Sequence, residues 1–310
     1  ILILVIPKLV SIPISIIQRT QLAFQEGYRS DVWSIIGYIL NILLIILIVK
    51  GDLGKVTLLT VTSVLPVLVS ALNMFVYFKF QRKELKISIS FVERSMIKSL
   101  LSIGILFCVL YVLITLGVSM DTFIVARTSS LSEAASYSIL YKVAAIFSAV
   151  IPILSIPLWG ANGEALSRGD VQWVKLNTKK MSYIMASISS VLVILGLIFS
   201  KRIFELWLGE NFEYSFFALV WLSITQVLTS FISPYFMVLN AAGKIKIQIY
   251  LFLIYTPICL YLKFKMAMIY GSEYIPFVGA ISYFFIIIFG TYYYAIKELN
   301  KYKIDVQYVG

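Results

Sequence analysis

The apolar positions of this chain fall in long unbroken runs, not in alternating stripes. Nine runs stand out: 1–17, 32–50, 56–78, 99–120, 136–159, 181–200, 216–239, 247–262 and 274–296. Most approach the ~20 residues that a helix needs to cross the hydrocarbon core of a bilayer. They are apolar on every side, which excludes the alternating strands of a membrane barrel. Only helices satisfy their backbone polar groups within such runs. The pattern therefore predicts an all-α polytopic membrane protein with about nine transmembrane helices. The run 247–262 is short and is expected to extend through Lys263 and Lys265, whose ammonium groups would snorkel to the interface.

Composition agrees with this reading. The chain is 60% apolar and 13% charged, against ~25% charged for soluble domains. It holds no histidine, which excludes a Ser-His-Asp triad, histidine-ligated metal and a histidine proton relay. Cys108 and Cys259 sit singly in apolar runs, so packed thiols are expected and a disulfide framework is excluded. No cofactor is expected, and the chain reads as a non-enzyme.

The charge pattern adds topology. There are 26 Lys and Arg against 15 Asp and Glu, a net +11. These cations flank the apolar runs, which argues against nucleic acid as a partner. Connections on one side of the predicted spans carry 17 of them, including Arg19, Arg29, Lys79, Arg82, Lys175, Lys244 and Lys297, and those on the other side carry 7. The richer side is assigned to the cytoplasm. Residue 1 then lies outside and the C-terminus inside, so about three helices are expected to precede position 1, making twelve. The basic stretch 81–98 divides the chain into three helices (1–80) and six helices (99–303), with a tail at 304–310. Residues 87–98 of that stretch are expected to form an interfacial helix.

Charged groups inside apolar runs are candidates for function, because each costs ~2.5–3.5 kcal/mol on insertion scales. Lys142 lies within 136–159. Asp121 ends the preceding run. Counting outward from a turn near 129–134 places the two at similar depth, so an Asp121–Lys142 pair is expected. Lys8, between Pro7 and Pro13, is a further path candidate, and Arg127 is expected nearer the outer surface. Tyr137 and Tyr141, with Tyr111 and Trp159, could line a binding path or simply pack. Asn41, Asn73, Gln226 and Asn240 are expected to hydrogen-bond between helices. Pro152 and Pro157 are expected to kink the fifth run.

Several segments together resemble a known family. They are Gln18–Ser30 (QRTQLAFQEGYRS) followed by a helix with Asn41, then Asp121 to Ala126, Ala135 to Tyr137 and Tyr141-Lys142. Leu206 to Gly209, Leu239 to Lys244, Tyr270-Gly271 and Gly279 to Ser282 complete the set. In order and spacing they are similar to the Wzx-type O-antigen and polysaccharide-biosynthesis flippases of the MATE-like transporter superfamily. The resemblance implies a two-lobed bundle around a cationic cavity, working by alternating access. It implies a bacterial cytoplasmic (inner) membrane location and an undecaprenyl-pyrophosphate-linked oligosaccharide as substrate, with the bilayer and polysaccharide polymerase machinery as partners. Cavity cations would neutralise the pyrophosphate. Two alternatives stay open: a MATE-type ion-coupled multidrug exporter, which would want carboxylates in its spans, and a membrane polymerase or glycosyltransferase, which would want a long catalytic loop.

Overall fold

Each of the nine apolar runs becomes helix. The computed structural model describes residues 2–24, 26–85, 93–209 and 212–309, and every regular element among them is helical. Eight stretches are long and apolar enough to cross a membrane, and a ninth is counted when one bent helix pair is taken as a single span. This is the all-α architecture of a multi-pass membrane protein. The chain forms two compact units, residues 1–93 and 94–310. Of the expected interfacial helix, residues 87–92 lie outside the described residues. The rest belongs to a spanning helix that starts at Arg94.

In the first unit, α1 (Leu2–Ile14) and α2 (Ile16–Ala23) make one span, followed by α3 (Gly27–Lys50) and α4 (Gly54–Val76). A π-helical turn, Tyr77–Gln81, extends α4. α4 packs against both α1 and α3. Two amide contacts tie these apolar helices together. Gln21 and Asn73 bond reciprocally at 2.9 and 3.3 Å. Pro66 lacks the N–H that would meet the Thr62 carbonyl one turn back, and the Asn41 amide reaches that carbonyl instead at 3.5 Å.

The turn between α2 and α3 is held by charge. Arg82 donates to the Glu26 carboxylate at 2.5 Å, and Arg29 approaches it at 3.4 Å. Arg29 also donates to Gln81, and the Arg82 guanidinium lies 5.0 Å from the centre of the Phe24 ring. The Arg82 hydrogen bond holds the Glu26 carboxyl below the ordinary carboxylate range.

The second unit holds α5 (Arg94–Ser119), α6 (Asp121–Thr128), α7 (Leu131–Ile146), α8 (Val150–Ser167), α9 (Val171–Ile198) and α10 (Ser200–Leu208). It continues with α11 (Phe216–Ala241), α12 (Ile245–Tyr270), α13 (Ile275–Ser282) and α14 (Phe289–Val309), with a π-helical stretch Tyr283–Ile288 joining the last two. α11 is the central helix, packed by α7, α8, α9, α13 and α14. Hydroxyls and amides seal its contacts. Ser148 donates to Gln226 at 2.7 Å, and the Ser155 and Ser233 hydroxyls bond at 2.7 Å. These two rungs are seven residues apart on both partners, one at the bend before α8 and one within it.

α7 and α8 meet at a bend of 50°. Pro152 explains its place: it offers no N–H to the Ser148 carbonyl, and Ile151 donates there instead at 2.9 Å, tightening the turn. Phe147 at the bend is buried against Gly196 of α9, where an added Cβ would lie 2.3 Å from its ring.

Two outcomes follow. Gly196→Ala should lower stability by about 1–3 kcal/mol through overpacking, and adding Phe147→Leu should recover part of the loss, both read by thermal unfolding in membrane mimetic. The Glu26 contribution is fully present above the ordinary carboxylate range and is lost as pH falls through its lowered pKa. Glu26→Gln should therefore flatten the fall in melting temperature seen in the native chain between about pH 5 and pH 3.

Candidate functional site

The charges buried deepest lie where α5 stops and α6 starts. Met120 separates the two helices, leaving a C-terminal end with an open carbonyl at Gly117 and an N-terminal end that begins with Asp121. A helix C-terminus favours a cation and an N-terminus an anion. Both are present. Lys263 of α12, 2% exposed, donates to the Gly117 carbonyl at 3.0 Å and to the Asp121 carboxylate at 2.5 Å. Asp121 is 4% exposed, and its second oxygen accepts from the Tyr137 hydroxyl of α7 at 2.9 Å.

One face of α12 makes the join. Thr256, Cys259 and Lys263, spaced three and four residues apart, all reach carbonyls of α5: Thr256 to Leu113 at 2.9 Å and Cys259 to Gly117 at 3.8 Å. The helices come this close because position 117 has no side chain. A Cβ there would lie 2.8 Å from the Tyr255 ring and 2.9 Å from the Thr256 hydroxyl. Four helices thus converge on one neutral, hydrogen-bonded pair of charges.

This corrects two expectations. Lys263 does not snorkel to the interface; it is enclosed, while Lys265 is exposed. The partner of Asp121 is Lys263 and not Lys142. The hairpin of α6 and α7 turns at Ser129–Ser130, which sets Tyr137 opposite Asp121. Lys142 is five residues further on, about 140° round the helix from Tyr137, and faces away.

The other candidates are placed as follows. Lys142 is exposed and makes no hydrogen bond or ion pair among the described residues. It lies four residues before the end of α7, close to the bend into α8. Lys8 is exposed on α1 between the two prolines. Arg127 is exposed, with its guanidinium 5.6 Å from the centre of the Phe123 ring. Tyr141 is half-buried, Tyr111 is exposed, and Trp159 packs on Phe107 at 5.7 Å. The amides Asn41, Asn73 and Gln226 bridge helices as described, and Asn240 accepts from Gln248 of α12 at 2.7 Å. Among the described residues, no group of three histidine, cysteine, aspartate or glutamate side chains could hold a metal ion.

Sequence reasoning missed Lys263. The available signal was the polar series Thr256, Cys259, Lys263 on one face of a helix and the lack of any other partner for a carboxylate in hydrocarbon.

Removing one charge leaves the other stranded, at about 3–5 kcal/mol. Asp121→Asn and Lys263→Met should each destabilise the second unit by that order, whereas Asp121→Asn with Lys263→Met should lose clearly less than the two together. Unfolding titrations of the single and double variants read the coupling. Comparison of the chain with protein-family models, with curated proteins and with solved structures returns no match.

Proposed function

We propose that the chain translocates an anionic lipid-linked oligosaccharide across the membrane. The observation that carries this is the contrast between two sets of charge. The buried carboxylate at the start of α6, Asp121, is already satisfied by Lys263 and Tyr137, and the unpartnered Asp31 sits in the first turns of α3. The ammonium of Lys142, in the C-terminal part of α7, has no partner among the described residues. A lone cation within an apolar run is costly against lipid and is stabilised by a phosphate. Lys8 repeats the arrangement on α1. A site for drug cations would present the reverse, a free carboxylate among satisfied cations.

The resemblance of Gln18–Ser30 and the segments around Asp121, Tyr137 and Lys142 to polysaccharide flippases supplies the substrate class. It also supplies the two-lobed, MATE-like arrangement and the bacterial inner-membrane location, as parts of the same proposal. In this reading the lipid tail stays in the bilayer. Lys142 meets the pyrophosphate as a point charge as the head group passes, and the Asp121–Lys263 pair fixes the framework that carries α7.

Complementation of a flippase-deficient strain by the full-length gene tests it. Surface polysaccharide should be restored by the native gene and cut at least tenfold by Lys142→Ala. It should be partly retained by Lys142→Arg and abolished by Lys142→Glu, with membrane levels of the protein unchanged. Equal export with alanine and lysine at 142 contradicts the role of the residue, and failure of the native gene to complement contradicts the function.

A further inference from the structure

The first unit contains a cavity of a different character. It has a volume of about 130 Å³ and is open on one side. Facing stripes of α2, α3 and α4 form it. Ser30, Trp33, Ser34 and Tyr38 recur on one face of α3, Ser70 and Asn73 on one face of α4, and Gln18 comes from α2. No charged side chain lines it.

Its polar groups are largely unused. Asn73 is committed to Gln21, and the Ser34 hydroxyl donates to the Ser30 carbonyl at 2.9 Å. The side chains of Gln18, Ser30, Trp33, Tyr38 and Ser70 make no hydrogen bond among the described residues. Ser30 is 9% exposed, Trp33 and Ser70 are half-buried, and Gln18 and Tyr38 are exposed at the mouth. Neither the Trp33 ring nor the Tyr38 ring stacks on another aromatic among the described residues. Such a polar stripe on an otherwise apolar bundle leaves donors and acceptors free for a ligand.

The lining defines the ligand. An amide, hydroxyls, an indole N–H and a phenol offer both donors and acceptors, and two aromatic rings offer flat apolar faces. With no formal charge present, the site suits a neutral molecule that is polyhydroxylated at its edge and apolar on its faces. The volume holds about four waters at ~30 Å³ each. The hydroxyls of a single pyranose ring inserted edge-first would replace them. We infer that this cavity is a binding subsite for one neutral sugar residue, separate from the cationic Lys142. The inference rests on the substrate reading above for its biological meaning, but its test needs no translocation.

The test uses the full chain in lipid nanodiscs free of glycosidic detergent. Saturation-transfer NMR is run with methyl glucoside, methyl galactoside and methyl N-acetylglucosaminide, and with glycerol to represent a lipid headgroup polyol. At least one glycoside should receive saturation, glycerol should not compete, and Ser70→Leu, which fills the cavity, should weaken apparent affinity at least tenfold. Trp33→Phe keeps a ring but removes the indole donor and should weaken it several-fold with unchanged circular dichroism, which covers the case in which Ser70→Leu misfolds. Lys142→Ala should leave the contact intact. No transfer from any glycoside, equal transfer in the filled and native chains, or equal competition by glycerol overturns the inference. Glycoside contact without complementation removes the flippase reading alone, and complementation without glycoside contact removes this one alone.

Discussion

An ammonium and a carboxylate enclosed among apolar helices can each exist only because the other is there. Lys263 and Asp121 meet at 2.5 Å with almost no exposure, so the chain must bring α12 and the start of α6 together or strand a charge. Other features of the second unit accommodate this demand. The break at Met120 exposes the Gly117 carbonyl that takes the second hydrogen bond of Lys263. Position 117 lacks a side chain, which lets Thr256 and Tyr255 close on α5. Tyr137 then carries the constraint into α7. The pair is neutral as a whole and so tolerable in a dry interior, and any packing that parts its members strands a charge.

Electrostatic satisfaction also separates framework from working surface. Several charges and amides at helix crossings are paired: Asp121 with Lys263, Gln21 with Asn73, Gln226 with Ser148, Asn240 with Gln248. Among the described groups without partners, two bear on function, the exposed ammonium of Lys142 and the uncharged cavity around Trp33; Lys8 and the buried side chains of Asn162, Thr178, Ser189, Ser230 and Thr291 are also unpartnered. A lipid-linked oligosaccharide has the corresponding halves, a phosphate and a sugar, and this correspondence underlies both proposals.

Much of this was legible in the chain. Run length and all-round apolarity give the eight long apolar helices and the bent pair among the described residues, because a membrane helix hydrogen-bonds within itself and leaves its signature in consecutive residues. Pro152 marks the bend, since a missing N–H is a local fact. Amides in apolar runs announce interhelical bonds for the same reason that buried charges need partners. Which partner each finds is not local. Asp121 was matched to Lys142 by counting along a hairpin, but the residue that reaches it lies 142 positions away in sequence, and only the packing of α12 on α5 brings it there. The cavity of the first unit was equally hidden, because Ser30, Trp33, Tyr38 and Ser70 are unremarkable one at a time and become a site only when α3 and α4 face each other.

The most direct test of the central pairing is a distance. Solid-state NMR of the chain in bilayers, labelled with nitrogen-15 at lysine Nζ and carbon-13 at aspartate Cγ, measures dipolar coupling between the two. The Lys263–Asp121 contact predicts a strong coupling that disappears in Lys263→Met and persists in Lys142→Ala. A coupling that survives Lys263→Met and is lost in Lys142→Ala would contradict it.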